Sequence, residues 1–168
     1  MEDIDAHFVA INWTYRWVDF DTVFTADPDI VENPVFADEV YRATLDSREA
    51  VIAPGTPTRI TGAIHCERRI SGGLSDDPKV LHTTGSSGYA AINLAYLKRA
   101  KRIYLLGFNY DRFPFTKWVN GYETMLPQLE AAGVQVVNCN PDSQLPFFRK
   151  VRWECQSSIL RMKSYQTL

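Results

Sequence analysis

The sequence predicts an α/β domain of Rossmann-like, three-layer type with a mostly parallel sheet, and three observations predict it. Short apolar runs end in polar residues, segments of helical periodicity alternate with them, and a small-residue turn, Thr84-Gly85-Ser86-Ser87-Gly88, joins one run to the clearest helix. Such alternation argues for parallel strands joined by crossovers. With 168 residues, 45% of them hydrophobic, the chain is long enough to bury a core without a disulfide or structural metal. Residues 1–150 are expected to form this single domain, and 151–168 a C-terminal extension packed on it.

Residues 7–11 and 22–26 are apolar runs ending at Asn12 and Asp27, and both read as buried strands. Asp27-Pro28-Asp29 breaks the second, because proline cannot continue a central ladder and aspartates favour turns. From 34 to 50, Val35, Phe36, Val40, Tyr41 and Leu45 follow helical spacing. Residues 51–53 read as a third strand, Pro54-Gly55-Thr56-Pro57 as a turn and 58–64 as a further strand. The clearest loop, 71–78, holds Gly72 and Gly73 and closes on Pro78; it suits either a mobile flap or a plain surface loop. Strand character returns at 79–83. A helix is expected over 87–102, with Ala91, Leu94, Ala95 and Lys98 at helical spacing, and a strand covered on both faces over 103–107. A second crossover carries Trp118, Tyr122, Met125, Leu126 and Leu129 on one stripe. Pro127 demands a kink or a new start there, Gly133 is the expected C-cap, and 134–137 the next strand.

No stretch nears the roughly 18 apolar residues a membrane span needs, and no signal-peptide pattern opens the chain, so a cytoplasmic protein without a membrane partner is expected. Cys66, Cys139 and Cys155 are odd in number and widely spaced, which reads as free thiols. A net charge of −2 supplies no broad electrostatic case for nucleic acid. The basic run Lys98-Arg99-Ala100-Lys101-Arg102 reads as a solvated cap at a helix end, where cations complement the dipole. A homo-oligomer is compatible with all of this.

In open parallel sheets, ligands bind outside the carboxyl ends of the strands. Asn12, Asp27, Thr83, Thr84, Asn109, Asp111 and residues 138–140 all fall there. Each is as readily a turn former, and their shared edge is what makes the group notable. Thr84-Gly85-Ser86-Ser87-Gly88 exposes the amides of a helix start, which with the dipole and hydroxyls suits a phosphate or carboxylate; equally, Ser or Thr there could only cap the helix. The turn is neither a GxGxxG fingerprint nor a GxxxxGK[ST] loop. Asp27 and Asp111 could act as a base or hold Mg²⁺ between protein and phosphate, or cap a helix or turn. His7, His65 and His82 lack metal-ligand spacing, and only His82, just before the glycine turn, is a candidate for acid/base work. Phe108, Tyr110, Phe113, Phe115 and Trp118 follow a strand end and could stack a base, or pack.

The stretch from Thr83-Thr84-Gly85-Ser86-Ser87-Gly88-Tyr89 to Ile103-Tyr104-Leu105-Leu106-Gly107-Phe108-Asn109-Tyr110-Asp111 resembles a segment shared by two related groups. These are the bacterial sialyltransferases that use CMP-sialic acid and the family similar to the archaeal 6-hydroxymethylpterin diphosphokinase, which includes many phage proteins. Ile11-Asn12 with Phe24-Thr25-Ala26-Asp27, and Val136-Val137-Asn138 with Ser143-Gln144-Leu145-Pro146-Phe147-Phe148, extend the resemblance over most of residues 8–150. It implies a nucleotide-binding domain in which Asn12, Thr84, Gly85, Ser86, Ser87, Asn109 and Asp111 line the site; read from the residues themselves, Gly88 joins the nucleotide-binding turn, and Asp27 and Asp111 are the candidates for catalysis. The reaction implied is glycosyl or phosphoryl transfer from an activated nucleotide or nucleotide-sugar, with a phage-encoded protein as one setting. No G-x-G-P-S-type loop precedes Asn12, and no His follows Asp111 where the sialyltransferases carry a catalytic one. The alternative is therefore a non-catalytic nucleotide-binding or sequestering protein, and a structural protein that lost the site is a third reading.

Overall fold

The computed structural model describes residues 6–55 and 59–152. Thr56, Pro57 and Thr58 of the expected turn and strand, Cys155, and the expected extension from Trp153 onward lie outside the described residues. Two compact units divide the chain, one ending at Cys66 and the next beginning at Glu67. Both are α/β, and every strand pairing in them is parallel.

In the first unit, β1 (Val9–Ile11), β2 (Thr22–Thr25), β3 (Glu49–Ile52) and β4 (Ile64–His65) pair in chain order. A short 3-10 turn, Asn12–Arg16, follows β1. Asp27-Pro28-Asp29 ends β2 by starting helix α1 (Pro28–Val31): Asp27 accepts from the Asp29 amide at 3.1 Å, and Pro28 takes a first-turn position whose amide would be unpaired anyway. Asn33 caps α2 (Pro34–Leu45) in the same way, through the amides of Val35 and Phe36. The helix stops at Leu45 rather than near 50, because Ser47 adopts a left-handed φ of 62° and Arg48 turns to the Asp19 carboxylate and the Phe20 carbonyl. Phe36 and Val40 are buried against Ala10, Val23, Ala50 and Ile52. The Phe36 ring meets Trp13 and Tyr15 edge-on, with centroids 5.2 and 5.8 Å apart.

The second unit holds two ladders. β5 (Glu67–Ile70) pairs with β6 (Val80–Thr83), and β7 (Arg102–Leu105), β8 (Gln135–Asn138) and β9 (Arg149–Lys150) form the other. Neither β5 nor β9 is an apolar run, which is why periodicity did not single them out. Helix α3 (Ser87–Leu97) is shorter than expected: Arg99 turns left-handed at φ 64°, and Arg102 enters β7 opposite Gln135. The basic run thus spans helix end, turn and strand. The β7–β8 crossover joins parallel neighbours as expected, whereas β6 and β7, on either side of α3, are not paired with each other among the described residues. Residues Phe115–Met125 form a 3-10 run, and α4 (Leu126–Ala131) starts anew with Pro127 in its first turn. Gly133, at φ 65°, lies just beyond that helix, the left-handed position where glycine is at least cost.

The loop over 71–78 is fastened rather than a flap. The Gly73 carbonyl accepts from the Tyr89 hydroxyl, the Gly73 amide donates to Thr124 Oγ1, and Asn93 holds both the amide and the carbonyl of Ser75. No helix among the described residues is long and apolar enough to cross a membrane.

Candidate functional site

The predicted residues fall in both units. At the carboxyl ends of β1 and β2, the Thr25 hydroxyl donates to Asn12 Oδ1 at 2.8 Å and accepts from the Asp27 amide at 3.1 Å, so Asn12 and Asp27 share one partner. Asn12 has φ 56°, and the Asp27 carboxylate caps α1. In the second unit, the β6–α3 turn carries Thr84, Gly85, Ser86, Ser87 and Gly88, and the segment after β7 carries Asn109 and Asp111. Asn109 organises strand ends: its Oδ1 accepts from Asn140, and its carbonyl accepts from the Gln144 amide. Asp111 is exposed and has no hydrogen-bond or ion-pair partner among the described residues.

The turn is built around the Thr83 hydroxyl, which donates to the Ser86 carbonyl and accepts from the Gly85 amide, both at 3.0 Å. Gly85 takes φ 107°, a conformation open to glycine and strained for other residues. Ser86 occupies the N-cap position of α3, yet its side chain does not cap the helix. Its hydroxyl instead points into a buried cluster, 2.9 Å from the Tyr110 hydroxyl and 3.3 Å from that of Tyr122, and the two phenols bond each other. A Cβ on Gly88 would stand 2.7 Å from Phe108 and 3.0 Å from both phenol oxygens, so only glycine allows this approach. Trp118 Nε1 crowds Gly85 in the same manner at 2.7 Å, and Gly121 lies against Thr84. Residues 108–125 thus lie across the helix start.

The buried side-chain polar atoms without a partner include Thr84 Oγ1 and His82 Nδ1. Such atoms are rare in folded proteins and call for an explanation. His82 itself is half-buried, and its amide donates to Asn93. Tyr110 and Trp118 belong to the aromatic group read as stacking a base or packing, whereas Tyr122 was placed only on a helical stripe and Asn93 was passed over. Asn93 had a visible signal, an amide side chain amid the apolar residues of α3; Tyr122 sat on an apolar stripe and had none.

Burial raises the Tyr110 phenol, and raises Tyr122 further with Tyr110 beside it, so both stay protonated in the folded state. Unfolded phenols titrate near about pH 10, so the stability these two contribute is complete below that pH and is lost as pH rises toward the folded values. Melting temperature is expected to fall more steeply above about pH 10 in the wild type than in Tyr110→Phe. Thermal scans at several alkaline pH values check this, and equal slopes would count against a buried, neutral Tyr110.

Cys66 and Cys139 are in no disulfide among the described residues, and burial raises the Cys139 thiol. Among the described residues, no group of three or more His, Cys, Asp or Glu is gathered so as to hold a metal ion. No family model, curated protein or solved structure matches this chain.

Proposed function

We propose that this chain binds the phosphates of a nucleotide or nucleotide-sugar at the start of α3 and transfers a glycosyl or phosphoryl group from it. One observation carries the binding: Ser86 at the N-cap turns its hydroxyl away from the helix amides, and the Thr84 hydroxyl beside it is buried with no hydrogen-bond partner among the described residues. Helix-start amides and an unused hydroxyl are the donors an anion requires, and the dipole adds to them. Trp118 and the exposed Phe115 and Phe113 offer aromatic surface of the kind on which a base stacks.

For the transfer, Asp111 is the carboxylate left available, since Asp27 is engaged as a cap. Mg²⁺ commonly takes one or two carboxylates together with substrate phosphates, and Asp111 fits that use by its exposure and lack of partners. The ion would neutralise charge on the phosphates, while Asp111 holds the proton of the attacking group or positions the metal. Asp111→Asn is expected to lower Mg²⁺-dependent turnover at least tenfold and to leave the melting temperature within about 2 °C, because an exposed side chain does little packing. A fall in melting temperature at unchanged turnover would make Asp111 structural.

The second reading, binding without turnover, is favoured by Ser86, whose hydroxyl is held by two tyrosines, and by the capping role of Asp27. Thermal denaturation against CMP, CTP, ATP, GTP and UDP- or CMP-sugars, with and without Mg²⁺, tests the common part. A ligand at about 100 times its dissociation constant adds roughly 2.7 kcal/mol of stability. Product analysis with the stabilising nucleotide then separates transfer from sequestration, and no stabilisation by any of them would refute both.

A further inference from the structure

The three hydroxyls of Ser86, Tyr110 and Tyr122 are mutually within hydrogen-bond reach. Three hydroxyls in a ring can each donate one bond and accept one, so the ring satisfies itself and leaves no donor for anything else. Ser86 comes from the helix start and both tyrosines from residues 108–125, so the ring ties one to the other. Around it, Trp118 lies against Gly85, Gly121 against Thr84, and Phe108 with both tyrosines against Gly88. The covering segment is also fastened at its two ends, where the Phe108 carbonyl accepts from Asn138 and Ser143 and Thr124 Oγ1 bonds the Gly73 amide and the Tyr89 hydroxyl, so the ring is the hydrogen-bonded tie between those anchors and the helix start. Its 11-residue 3-10 run, Phe115–Met125, has poorer hydrogen-bond geometry than an α-helix and is far longer than such runs usually are, a feature often found at hinges. Its outer turn is exposed at Phe113 and Phe115, 85% and 53% accessible.

We propose that residues 108–125 form a strap latched on the start of α3 by the Ser86–Tyr110–Tyr122 hydroxyl ring, and that a phosphate ligand enters by exchanging the ring for its own oxygens on Ser86. This rests on the phosphate reading above and adds a gate to it. While the ring is closed, Ser86 Oγ faces the phenols and is 7% exposed as a residue, so the closed form lacks one of the donors that the bound form uses. The apparent affinity is then the intrinsic affinity reduced by the fraction of molecules with the strap raised.

Removing one ring member from the strap should raise that fraction. In Tyr110→Phe, amide exchange followed by mass spectrometry is expected to quicken about fivefold over 84–88 and 108–125, the factor carried by one ordinary hydrogen bond. Exchange in β2 and β3 of the first unit should stay at the wild-type rate. Inorganic pyrophosphate, measured by calorimetry, should bind the variant about fivefold more tightly. Tyr122→Phe should act in the same direction and serves if Tyr110→Phe does not fold. Ser86→Ala should quicken exchange without tightening pyrophosphate, because it removes the latch and the ligand's donor together. Unchanged exchange over 84–88, or equal pyrophosphate affinity in wild type and both phenylalanine variants, would overturn the strap and leave the phosphate reading standing. Quicker exchange with no binding of pyrophosphate or CTP to any of the proteins would overturn the phosphate reading and, with it, the gate.

Discussion

Asn93→Leu is expected to destabilise the second unit by about 3 kcal/mol, because two buried backbone groups of Ser75 and the part-buried His82 amide lose their partner and each buried group costs about 1–3 kcal/mol when left unpaired. The side chain is fully buried. Its Oδ1 accepts from the amides of Ser75 at 3.1 Å and His82 at 2.9 Å, and its Nδ2 donates to the Ser75 carbonyl at 3.1 Å. One residue of α3 thereby fastens the 71–78 loop to strand β6, two residues ahead of the glycine turn. Leucine has a similar volume and a better helix propensity, so neither a cavity nor the helix itself accounts for the loss. Urea denaturation should show a lower midpoint at an unchanged slope. A loss under about 1 kcal/mol would mean that water reaches the two amides and that Asn93 does not anchor the loop.

Ser87→Asp is expected to weaken phosphate-ligand binding tenfold to a hundredfold while the protein stays folded. Ser87 is the first residue of α3, and an acid in the first turn complements the helix dipole, so folding should hold or improve. A bound phosphate would instead meet a fixed negative charge where the wild type offers a hydroxyl. The hydrogen bond lost, to a charged group, is worth about 1.5–3 kcal/mol before repulsion is added. Each 1.4 kcal/mol is about tenfold in affinity. Calorimetry on both proteins with the best ligand from the denaturation screen decides the matter. Equal affinities would show that Ser87 serves only the helix and that the anion site lies elsewhere.

Much of the chain was legible without coordinates because its signals are local. A strand that stops before Asn12, another that stops before Asp27, the Thr84–Gly88 turn into α3 and the left-handed Gly133 all follow from residue chemistry within one or two turns of chain. The proline readings divide on the same ground. Pro127 restarts a helix as one of two foreseen outcomes, while Asp27-Pro28-Asp29 proved to open α1 where a turn was expected, since a capping aspartate and a first-turn proline serve either.

The sequence by itself determined the α/β class, the parallel character of the pairing and the small-residue turn at the start of α3, for these depend on periodicity and on which residues tolerate a given backbone. Tertiary structure alone decided that pairing runs in three ladders, that polar β5 and β9 are strands, and that Ser86 faces Tyr110 and Tyr122 instead of capping its own helix. The hydroxyl partners lie 24 and 36 residues from Ser86 in the chain, and the strand partners Glu67 and Val80 are 13 apart, beyond the reach of any local pattern. A hydroxyl buried among apolar residues bonds to whichever donor or acceptor packing brings near it, because leaving it unpaired costs more than abandoning a cap that the helix start can replace with solvent or a ligand.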